Sequence, residues 1–156
     1  MWAAFAALIA ILAFASNSVA IAARSHAFTA SYRGSGSGQV SGTTASGRAT
    51  MTGRGRLIGA STLSGSGHGV FTSQTCVLFS GSAVLKGAVG SIRLAARNGN
   101  ACAVTADASS VSFSGRAMVT GGTRIFAGAR GSVSFSGAYT RQTGVVTISL
   151  RGRIVY

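Results

Sequence analysis

In the segment VVTISLRGRIVY, Val146, Ile148, Leu150, Ile154 and Tyr156 fall on one side of an extended chain. Thr147, Ser149, Arg151 and Arg153 fall on the other. A period of two predicts a strand with one buried face. The same alternation places Ile92, Leu94 and Ala96 opposite Arg93, Ala95 and Arg97, and puts Phe28, Ala30 and Tyr32 on a shared side. It recurs in VSFSG at Val111 and again at Val133. The apolar run GVFTSQTCVLFSGSAVLKG has room for one or two strands, and TTASGRATMTGRGRLIGASTLSGSG alternates more weakly because glycine interrupts it. Between seven and nine strand-sized segments result, separated by Gly, Asn-Gly and Thr-Gly turn signals. GSGSG at Gly34–Gly38 reads as a flexible turn, and His68, flanked by glycines, as an exposed loop histidine.

No segment beyond the first residues keeps a 3.6-residue apolar stripe, so the expected class is all-β, a single antiparallel barrel. Glycine inside strands supplies the bulges with which a small barrel turns its corners. A β-sandwich and a β-solenoid are the alternatives, and the absence of a fixed repeat length weighs against the solenoid.

Composition adds a compartment and a field. Residues 1–22 read as a signal peptide, with an apolar run from Ala3 to Ala15 and a small-x-small pattern at Ser18–Ala20 or Ala20–Ala22. Residues 26–156 then form the barrel domain, secreted or held in the periplasm or cell envelope. An N-terminal membrane anchor is the alternative, since no charge precedes Arg24. Export implies an oxidising destination, where Cys76 and Cys102 are expected to pair, two buried thiols being the other option. Against a single acidic residue, Asp107, stand fourteen cations, all but Lys86 arginine, for a formal charge of +13. Such a field favours anionic partners.

The closing segment, residues 119–156, carries Gly121, Gly122 and Thr123, then Phe126, then Ala129, Arg130 and Gly131, then a Thr143-Gly144 turn before the last strand. In this order the segment resembles the end of the allene oxide cyclase and dirigent-type barrels. The resemblance implies eight antiparallel strands, export and, as in plant members, a homo-oligomer. It does not bring the chemistry with it. Those families use acidic pocket residues, whereas this chain has no Glu, and Asp107 lies in a polar stretch that reads as a loop or strand edge.

Other chemistry is equally sparse. The two cysteines and the distant His26 and His68 make no close-spaced ligand set, so no metal or cofactor is expected. A Ser-His-Asp triad would have to use His68 and Asp107, without any Gly-x-Ser-x-Gly elbow. Arginine is the one abundant functional group. Arg54 with Arg56, Arg93 with Arg97, and Arg151 with Arg153 share strand faces by spacing and form the candidate anion contacts. The leading expectation is a non-catalytic binding or structural barrel whose basic surface meets anionic polymers or an envelope surface. The second is a barrel that holds a small apolar ligand, or shapes its cyclisation, by confinement. The two readings differ in whether the interior is filled or hollow.

Overall fold

The computed structural model describes residues 23–156. Eight antiparallel strands follow one another around a closed barrel: β1 (Ser25–Ser41), β2 (Thr44–Gly55), β3 (Gly59–Phe71), β4 (Cys76–Gly87), β5 (Gly90–Ala103), β6 (Ser110–Arg124), β7 (Arg130–Thr140) and β8 (Val145–Val155). Each strand pairs with the next, and β1 closes the ring on β8 from Ser25 opposite Val155 to Ser35 opposite Val145. Closure pairs every strand on both sides and leaves no open edge. The barrel expectation holds, and the sandwich and solenoid do not. The signal-peptide segment, residues 1–22, lies outside the described residues.

Several local readings change. GSGSG is not a turn but the middle of β1, with Ser35 and Ser37 outward and Gly34, Gly36 and Gly38 inward. A Cβ at Gly34 would collide with the backbone of Thr50 and Met51 on β2, so the absent side chain serves close strand approach. His68 is likewise not in a loop; it is an exposed, outward residue of β3. Asn98-Gly99 is a bulge within β5 rather than a turn. Asn98 takes a left-handed φ of 57°, and the register with β6 is interrupted between Ala96 and Asn100. The Gly121–Thr123 step lies inside β6, and Arg56 falls just past β2, in the β2–β3 turn. Thr143-Gly144 does form the final turn, between β7 and β8.

The core occupies one half of the barrel. At the end where β1 starts and β8 finishes, Phe28, Tyr32, Leu63, Leu85, Ile92, Leu150 and Ile154 fill the interior. Two residues from connections close the floor: Ile58 from the β2–β3 turn and Phe126 from the β6–β7 loop, both buried. Phe126 packs edge-on to Tyr156 at 5.0 Å between ring centroids, and Tyr156 stacks on His26 at 4.7 Å. Each fully buried aliphatic or phenyl side chain here contributes about 1.5–3 kcal/mol relative to exposure.

Tyr32 brings a polar atom, its hydroxyl oxygen, into this core. Its hydroxyl shares a 2.8 Å hydrogen bond with Ser61 Oγ, which in turn donates to the Gly59 carbonyl. Burial pushes the Tyr32 phenol above its ordinary value, and the Ser61 hydrogen bond offsets part of that shift. A phenol whose folded pKa is raised contributes stability that is intact below the unfolded pKa, about 10, and is lost as pH rises above it. Alkaline titration followed by dichroism is therefore expected to show unfolding beginning above about pH 10. Tyr32→Phe should delay that onset, and an unchanged onset in the variant would assign the alkaline transition elsewhere.

Candidate functional site

The other half of the barrel is hollow. A cavity of about 730 Å³ occupies it and opens at the end formed by the β1–β2, β3–β4, β5–β6 and β7–β8 connections. The space arises from how glycine is used on the two sides of the wall. On the β4–β7 side, inward glycines are covered by phenyl rings of the paired strand: Phe79 opposite Gly99, Phe135 opposite Gly115, and Phe113 opposite Gly137. A ring lying across a cross-strand glycine fills the gap that the missing side chain leaves. Phe79 and Phe113 each pack against Phe135, with centroids 6.0 and 6.5 Å apart.

The β1–β4 side has no such cover. Gly38 pairs with Gly47, Gly47 with Gly67, and Gly67 with Gly81, so four glycines form one unbroken row across four strands. The atoms nearest to where a Cβ would stand at Gly38, Gly47, Gly67 and Gly81 are all backbone. The wall here is bare backbone, thin enough that outward residues such as Arg48 and His68 border the same space despite their exposure. The β1–β4 backbone amides and carbonyls are already engaged with neighbouring strands, so a ligand meets a surface that is largely apolar in effect.

Few polar side chains reach the interior. Tyr139, near the end of β7 and opposite Val111 of β6, is half-buried on the inward face and lines the cavity. Arg141 and Gln74 stand at the rim. Tyr32 lies below, within the packed half, and Arg130 is exposed on the opposite end. Asp107 sits in the β5–β6 connection, where Oδ1 accepts the Ser109 amide at 3.0 Å. That backbone hydrogen bond, followed by those from the Thr105 and Ser109 hydroxyls, lowers its pKa to about 2. Asp107 is thus committed to shaping its own loop, and no triad with His68 forms. Among the described residues no group of three His, Cys, Asp or Glu side chains gathers as for a metal.

Cys76 and Cys102 form a disulfide across directly opposite positions of β4 and β5, near the open end. Among the described residues no helix is long and apolar enough to cross a membrane.

The cations divide unevenly along the barrel. On outward strand positions near the closed end lie Arg54, Lys86, Arg93, Arg151 and Arg153. At that same end Arg24 lies at the chain entry, Arg56 in the β2–β3 turn, and Arg124 and Arg130 on the strand ends that flank the β6–β7 loop. Arg33, Arg48, Arg97 and Arg116 belt the middle, and the open rim carries Arg141 with Asp107. All are exposed. Five of the six predicted anion contacts therefore share one end, but Arg97, at the β5 bulge, stands apart from them. Sequence spacing missed Arg24, Lys86, Arg124 and Arg130, which only hairpin closure brings to that end.

No family model matches the chain, and neither a curated protein nor a solved structure shows significant similarity to it.

Proposed function

We propose that the protein is a non-catalytic carrier that holds one small apolar ligand in the open half of its barrel. The observation that supports this most directly is the bare glycine row facing a cavity of about 730 Å³. A scaffold with no ligand gains by filling its interior, because burying a Val, Leu or Phe side chain stabilises the fold. Here the filling stops halfway along the same strands. The volume falls within the roughly 300–1,000 Å³ of small-molecule sites, which are apolar with a few polar groups at the edge. Tyr139 and Arg141 are such groups. The likeness of the closing segment to allene oxide cyclase and dirigent-type barrels agrees in kind, as those barrels also enclose small molecules. General acid–base work would fall on Tyr139 almost alone, which favours holding over converting. The disulfide fits an exported location, secreted or in the envelope.

The test is titration with N-phenylnaphthylamine, an uncharged probe whose fluorescence rises in apolar surroundings. Saturable one-to-one binding, unchanged between low and high salt, is expected. A linear, non-saturating rise would leave the cavity without a ligand and sink the reading.

A further inference from the structure

The packed end of the barrel has a surface of its own. Three connections meet there. The Arg124 guanidinium, on a residue with a left-handed φ of 56°, donates to the Ala88 carbonyl at 2.8 Å and ties the end of β6 to the β4–β5 turn. Ile58 of the β2–β3 turn lies against Gly87, within contact distance of where a Cβ would stand. The turns holding Val89 and Ile125 are therefore neighbours, and both side chains project into solvent, 39% and 51% exposed. Around them stand Arg56, Lys86, Arg124 and Arg130, all exposed, and no acidic residue lies at this end.

Exposed aliphatic tips within a ring of cations suit one kind of partner. The cations attract anionic headgroups, and the aliphatic tips enter the headgroup boundary once the surface is reached. We infer that the closed end of the barrel docks on an anionic lipid surface, with Val89 and Ile125 as the inserting tips. A soluble polyanion uses the charge but has no place for the aliphatic tips, and among the described residues this end carries no fully exposed aromatic platform of the kind that stacks nucleic-acid bases. The open end also exposes aliphatics, Val40, Val70, Leu78 and Val104, but there the charges of Arg141 and Asp107 cancel. The orientation that results keeps the cavity mouth away from the lipid and open to water.

Co-sedimentation with vesicles tests this. The purified protein is expected to bind phosphatidylglycerol-containing vesicles and to be released by salt, with little binding to pure phosphatidylcholine. Replacing Arg56, Lys86 and Arg130 together by Ser should weaken binding roughly a hundredfold. Replacing Arg33, Arg48 and Arg116 by Ser removes the same charge from the belt and should weaken it less than about tenfold. Val89→Ser with Ile125→Ser should weaken vesicle binding but leave binding to soluble heparin unchanged. Equal losses from the two arginine and lysine triples would overturn the proposal in favour of diffuse charge attraction. Vesicle binding indifferent to Val89 and Ile125 would overturn it in favour of a polymeric anion. Release by Val40→Ser with Val104→Ser would overturn it in favour of mouth-first docking. Thermal melts of each variant confirm that the fold is retained.

Discussion

Gly38→Phe is expected to abolish binding of the apolar probe while leaving the melting temperature unchanged or raised. Gly38 faces inward on β1, at the start of the glycine row. A Cβ built there meets nothing closer than the Ser46 carbonyl oxygen, at 3.6 Å, and its φ lies outside the positive range that disfavours side chains. A phenyl ring from this position enters the empty half and occupies the volume that the probe needs. Replacing glycine also restricts the unfolded chain, a gain of about 0.4–1 kcal/mol where the native backbone tolerates the change. Gly137→Ala provides the contrast. Its Cβ would fall on the Thr147 carbonyl and the Phe113 ring, so overpacking should cost about 1–3 kcal/mol although far less volume is added. Probe titration and thermal melts on both variants make the comparison. Undiminished probe affinity in Gly38→Phe would place the binding site outside the barrel.

Reduction of the Cys76–Cys102 disulfide is expected to lower the melting temperature by about 10 °C. The bridge joins residues 26 apart in sequence. Constraining a loop of that size in the unfolded chain stabilises a fold by about 3 kcal/mol. For a domain of this length, that converts to roughly the stated shift. Cys76→Ser with Cys102→Ser should reproduce it without a reductant. Because the bridge joins β4 and β5 near the open end, probe affinity should fall along with stability. Melting curves that superimpose before and after reduction would show that strand pairing alone holds this corner.

The strands were legible wherever large side chains reveal which way the chain faces. Phe28 with Tyr32, Ile92 with Leu94, and Ile148 with Leu150 each mark an inner face, and the structure follows them. Glycine has no side chain to sort, so Gly34–Gly38 and the surroundings of His68 carried no face in the sequence and read as turns. Asn98-Gly99 shows a related ambiguity, because one dipeptide serves equally for a hairpin turn and for a bulge inside a strand. The cavity was hidden for a different reason. Gly38, Gly47, Gly67 and Gly81 are dispersed along the chain, and only the cross-strand register sets them side by side. The cations were misgrouped in the same way. Spacing along a strand paired Arg93 with Arg97, whereas hairpin ends gather Arg56, Lys86, Arg124 and Arg130 from three connections.

The glycine row also sets how such a barrel can diversify. With its packed core confined to one half, the fold does not depend on what the other half encloses. Gly38 is a blank position: a methyl, an isobutyl or a hydroxyl there would change the shape offered to a ligand while the β1–β2 ladder stayed as it is. Ligand preference can then drift one substitution at a time without a matching repair elsewhere. A lineage of such barrels would differ most at Gly38 and least at Gly67 and Gly81, where a Cβ would press on neighbouring backbone, and around Phe126 and Ile58, where the floor admits no change in volume without strain.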